Sequence, residues 1–159
     1  MEAEISNLFR EAYEALNNQD YESAKRKFDR IMELSKDKFP WAYFEACFKL
    51  GDVFFEENNY RAFFKCSIRA IKHVYGTELY EMGLSRLKHV LYVIEHNEAL
   101  PQLAENMEPL LIQTKDVPDL YNFVLAVTKL AEGKREEARK AASAIGDSKL
   151  VDILEELFE

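Results

Sequence analysis

Four short polar turns recur along the chain at an almost constant interval, and that interval restricts the fold more than any other feature. The turns read QDYESAKRKF from Gln19, NNYRAFFKCS from Asn58, HNEALPQLAE from His96 and GKREEARKAA from Gly133. The inward residue after each turn is Ala24, Phe63, Leu100 and Ala138, so successive units lie 39, 37 and 38 residues apart. Each turn is flanked by stretches whose apolar residues repeat at three- and four-residue steps, the spacing of one helix face. Helical hairpins at such a period are the signature of a solenoid. Each hairpin leaves an apolar face that its neighbours must cover.

The stretch from Phe44 to Ile71 is the best-formed of these hairpins. Cys47, Leu50, Gly51, Phe54 and Phe55 mark one face of its first helix, and Phe63, Ser67, Ala70, Ile71 and Val74 mark one face of its second. Between them lie Glu56, Glu57, Asn58 and Asn59, and an Asn side chain at a helix start accepts a bond from an otherwise unpaired backbone N–H. Gly51 costs about 1 kcal/mol in a helix interior relative to Ala. A glycine there implies close approach of a bulky neighbour, and Phe63 is the natural candidate.

The pattern predicts an all-α protein of about nine helices: hairpins over 2–36, 40–74, 77–115 and 117–145, and a capping helix over 148–158. Asp20 is a candidate N-cap for the second helix, and Asp147 or Ser148 for the last. Pro40 and Pro118 suit a first helical turn. Pro109 is expected to kink or split the second arm of the third hairpin, because proline removes a backbone donor and clashes one turn back. The length suits a single domain with a real core.

Composition narrows the function classes. The apolar fraction of 48% belongs to a folding chain. No apolar run approaches the ~18 residues needed to span a bilayer, so no membrane role is expected. The first residues, MEAEISNLFREAYEAL, lack the basic start and apolar block of a signal peptide, and cytoplasmic residence is the expectation. A net charge of −8 disfavours nucleic-acid binding, which depends on neutralising phosphates. Two cysteines, Cys47 and Cys66, do not make a disulfide framework; on the two arms of one hairpin they could approach each other, and the simpler reading is two buried, reduced thiols. The three histidines, His73, His89 and His96, form no H-E-x-x-H pair. There is no phosphate-cradling glycine loop, C-x-x-C or nucleophile elbow. No catalytic, cofactor or metal site is expected.

The chain resembles the tetratricopeptide-repeat family. Asp20-Tyr21-Glu22-Ser23-Ala24 with Phe28, then Leu50-Gly51, Phe54, Tyr60 and Ala70, then Leu125-Ala126, Gly133 and Glu137-Ala138 carry the likeness. The third unit matches poorly, with Lys88 where a small residue is usual, and Phe63 replaces the usual alanine. The period also exceeds the family's ~34 residues. The resemblance implies hairpins stacked as a short right-handed superhelix whose first helices line a groove for a peptide or helix of another protein. The lining would be Phe9, Tyr13 and Leu16, then Phe48, Asp52 and Phe55, then Ser85, His89 and Tyr92, then Phe123, Val127 and Leu130. The Lys and Asn clamp by which some members grip a terminal carboxylate is absent at Phe9, Arg10, Tyr13, Phe48, Lys49 and Asp52.

Two readings of the aromatic row stand side by side: anchors in an open groove, or ordinary core of a closed array. A second feature is a basic row, Arg61, Lys65, Arg69 and Lys72, on the outer face of the second hairpin. It is either a docking stripe for an acidic partner or phosphate groups, or a solvated face. The last helix caps the array or, alternatively, forms a homodimer through Leu150, Leu154 and Phe158. The functional expectation is a non-enzymatic protein-interaction module. The alternative is a structural subunit that self-associates or scaffolds a larger complex.

Overall fold

A computed structural model describes residues 1–159. The chain is all helical: α1 (Glu2–Asn17), α2 (Tyr21–Ser35), α3 (Pro40–Glu56), α4 (Tyr60–His73), α5 (Tyr80–His96), a 3-10 segment (Leu100–Ala104), α6 (Glu108–Gln113), α7 (Pro118–Ala131), α8 (Arg135–Ser143) and α9 (Ser148–Phe158). Pro109 sits in the first turn of α6, and the arm it interrupts is split into the 3-10 segment and α6, as the missing N–H requires. Pro40 and Pro118 open α3 and α7.

All four turns have the same construction. The residues Gln19, Asn58, Glu98 and Gly133 have φ of 58°, 61°, 57° and 79°, the left-handed region. In the third turn that residue is Glu98 and not His96, so the inward side chain five positions on is the buried Leu103, while the expected Leu100 is half-buried. The amide after each left-handed residue reaches back over the helix end: Asp20 N–H to Ala15 O and Asn59 N–H to Phe54 O at 2.8 Å, Ala99 N–H to Ile94 O and Lys134 N–H to Lys129 O at 2.9 Å. This Schellman arrangement satisfies carbonyls left over by the ending helix. Side chains then start the following helix where the sequence supplies them. The Asp20 carboxylate accepts from Ser23 N–H at 3.2 Å, and the Asn59 amide oxygen accepts from Ala62 N–H at 3.1 Å. Before α9, Asp147 accepts from Lys149 N–H at 2.9 Å.

The chain forms two compact units, residues 1–83 and 84–159. In the first, α2 packs on α1 and α3, and α3 packs on α4. Its core is Phe28, Ile31, Phe44, Phe64, Ile68 and Ile71, all fully buried. Gly51 is where the α3–α4 hairpin is tightest. A Cβ there would lie 3.2 Å from the Cβ of Cys66 and 3.4 Å from Cδ1 of Phe63, which is the close approach the sequence implies.

In the second unit α7 is the central helix, packed by α8, α9, α6 and the 3-10 segment. Leu120, Phe123, Val124, Ala126 and Val127 are fully buried along it. Asp119, in its first turn, accepts hydrogen bonds from the backbone N–H groups of Gly146 and Asp147, both at 3.0 Å, and so fixes the α8–α9 connection. Arg135 donates to the carbonyl of Phe158, and the Arg139 guanidinium lies 4.5 Å from the Phe158 ring centroid, holding the end of α9 against α8.

Candidate functional site

The first unit carries an aromatic face made by α1 and the start of α3. Phe9 and Tyr13 are one turn apart, and their rings stack with centroids 6.0 Å apart. Trp41, in the first turn of α3, lies 6.1 Å from Phe9. Beneath them the buried ring of Phe28 meets Phe9 at 6.3 Å and Tyr13 at 6.0 Å, both edge-on. The support is rigid because Phe28 is fully enclosed. Yet Trp41 is 59% exposed and Tyr13 38%. Phe9 and Tyr13, packed on the enclosed Phe28 ring, have less conformational entropy left to lose on contact with a partner than free surface rings would.

Next to this face lies a cleft of about 400 Å³ lined by Leu16, Asn17, Gln19, Tyr21, Asp52 and Glu56. Asp52 and Glu56 are exposed one turn apart on α3. Lys49 lies 3.9 Å from Asp52.

The residues expected in the groove therefore separate. Phe9 and Tyr13 form the aromatic face, and Asp52 and Leu16 line the adjoining cleft. Phe48 is core: it is 6% exposed and packs edge-on to Phe44 at 5.1 Å. Phe55 is half-buried at the hairpin tip against Tyr60 and Phe63, at 5.8 and 5.2 Å. In the second unit Ser85, His89 and Tyr92 are exposed on α5. Tyr92 is 63% exposed, stacks on His96 at 5.7 Å, and lines a cleft of about 270 Å³ between α5 and α9 beside the Lys88–Glu156 ion pair. Phe123 and Val127 are fully enclosed and belong to the core, because α7 is packed by several segments at once. Leu130 is half-buried.

Trp41 was not among the expected residues. Its signal was available, since it precedes Glu45, Phe48 and Asp52 at steps of four, three and four residues. The basic row does not form a fully solvated face: Arg61, Lys65, Arg69 and Lys72 are all half-buried. Burial, then repulsion from Arg61 and Arg69, pulls the Lys65 ammonium below its ordinary pKa. On α9, Leu150 and Leu154 are fully buried and Phe158 is 5% exposed, so these side chains face inward.

The chemistry of the remaining groups is quiet. Both thiols are buried and free, and burial pushes each up to about 12, so they stay protonated at neutral pH. Burial likewise raises the Tyr43 phenol, which is hydrogen-bonded to Cys47. No group of three or more His, Cys, Asp or Glu side chains is placed to hold a metal ion, and no helix is long and apolar enough to cross a membrane. Fold and surface thus define a class: an all-α protein of helical hairpins with an exposed aromatic face. No family model, curated protein or solved structure matches the chain.

Proposed function

We propose that this protein is a non-enzymatic interaction module of tetratricopeptide-like character, which binds a peptide or helix of another protein on the α1/α3 face of its first unit. The observation that carries this reading is the Phe9–Tyr13–Trp41 cluster, in which the exposed Tyr13 and Trp41 both neighbour the half-buried Phe9, and Phe9 and Tyr13 pack on the buried Phe28 ring. Isolated apolar residues on a surface are ordinary, but contiguous rings rimmed by polar groups mark contact sites. Four turns of one construction, with their left-handed residues 39, 40 and 35 positions apart, support the repeat character.

The test is capture from native lysate with the wild-type chain and with Trp41→Ala and Tyr13→Ala. Both residues lie at the surface, so the variants should keep the wild-type circular dichroism spectrum and lose the partner. Retention of the same partner by both variants would refute the reading. The self-associating alternative has less support, because the α9 side chains that would form the contact are enclosed. Light scattering near 18.6 kDa, independent of concentration, is expected.

A further inference from the structure

On its α3 side the margin of the aromatic face is mostly acidic, while on α1 the exposed Arg10 is paired with Glu14 at 3.2 Å. On α3, the side that begins with Trp41 continues through Glu45 to Asp52 and Glu56, with Lys49 the basic residue beside them. Asp52 and Glu56 reach the cleft at the end of α1. Trp41 and Asp52 are eleven positions apart, or ~16 Å along a helix axis. The surface is thus apolar at one end and anionic about three turns away.

That polarity selects an occupant. A second copy of this chain, itself at −8, is repelled, as is an acidic peptide. A guanidinium or ammonium group complements the carboxylates, and can also lie on the faces of the Trp41 and Tyr13 rings. We propose that the α1/α3 face takes a basic amphipathic helix of a partner protein: its apolar residues seat on Phe9, Tyr13 and Trp41, and its Lys or Arg residues, about three turns along, meet Asp52 and Glu56. This rests on the interaction-module reading and adds the partner's chemistry.

The test uses the full chain and two synthetic amphipathic helices of about five turns. They share one apolar stripe of Leu and Phe, and differ only in having Lys/Arg or Glu on the polar shoulder. Trp41 is the only tryptophan, so its emission reports binding directly. The basic peptide is expected to shift that emission and to bind at least tenfold more tightly than the acidic one, with the margin shrinking as salt rises. Asp52→Asn with Glu56→Gln is expected to weaken the basic peptide up to ~fivefold per charge. Trp41→Ser, followed by calorimetry, is expected to weaken it ~thirtyfold or more.

If both peptides bind equally and both depend on Trp41, the face binds helices but the basic partner is wrong. If the basic peptide binds Trp41→Ser as well as wild type, the attraction is general to an acidic protein and the proposal fails. If neither peptide binds, the proposal fails, and the interaction-module reading is decided separately by the lysate capture with Trp41→Ala and Tyr13→Ala.

Discussion

Gly51 offers the sharpest test of how the central hairpin is held. Two effects of Gly51→Ala oppose each other. Helix propensity favours alanine by about 1 kcal/mol. Against it, the new Cβ would stand 3.2 Å from Cys66 Cβ and 3.4 Å from Phe63 Cδ1 and from the Phe63 carbonyl oxygen. Carbon pairs prefer roughly 3.5–4.0 Å. The neighbours are fixed: Cys66 is 3% exposed, Phe63 is 5% exposed, and one of the contacts is to backbone. Overpacking of this kind costs about 1–3 kcal/mol. The net expectation is destabilisation by about 1 kcal/mol.

A double-mutant cycle separates the two effects. Phe63→Ala by itself removes a buried ring, at about 3–5 kcal/mol. In that background the 3.4 Å contact to Cδ1 is gone, so Gly51→Ala should cost less than in wild type. The coupling should be about 0.5 kcal/mol or more, favouring the double variant. Urea unfolding followed by circular dichroism, with m-values compared across the four proteins, gives the numbers. If Gly51→Ala stabilises the wild-type chain by the full 1 kcal/mol and the cycle is additive, close approach does not explain this glycine.

Three further expectations follow from the turns, the α8–α9 connection and His73. Glu98 occupies a left-handed position that costs an L-residue about 1–2 kcal/mol, so Glu98→Gly should raise the urea midpoint and Gly133→Ala should lower it; equal midpoints would count against the shared turn construction. Asp119→Ala removes the acceptor of two backbone amides and should cost about 1–2 kcal/mol, with amide exchange of Gly146 and Asp147 accelerating before that of α7. The His73 ring lies 4.0 Å from that of Tyr43, and burial, opposed by a hydrogen bond to the Lys36 backbone, holds its pKa below the ordinary 6.5. The unfolded chain therefore binds the proton more readily. The contribution of His73 is complete above pH 6.5 and is lost as pH falls from there through the lower folded value. His73→Gln should flatten the stability profile between pH 5 and 7, and an unchanged slope would show that the imidazole is not responsible.

The local part of this fold was legible in the sequence because its causes are local. Asp20 and Asn59 cap helices through side chains only a few bonds from the amides they serve. Pro109 breaks its helix wherever that helix lies. Gly51 signalled a close neighbour through its cost in isolation, and Phe63 supplied the matching bulk. The candidate site was half legible. Phe9 and Tyr13 could be placed on one flank of α1 by periodicity alone, but Trp41 joins them only through the packing of α3.

Tertiary structure decided which apolar and charged residues remain available. Phe48, Phe123 and Trp41 are all large rings at helical spacing, yet the first is 6% exposed, the second fully enclosed and the third 59% exposed. Periodicity assigns a residue to a face of its helix. It does not count how many neighbouring helices cover that face, and coverage depends on elements distant in sequence. The same holds for Arg61, Lys65, Arg69 and Lys72, which four-residue spacing alone would place in water. Helix boundaries and turns were fixed by short-range chemistry, whereas the surface left for a partner was fixed by how much of each helix its neighbours bury.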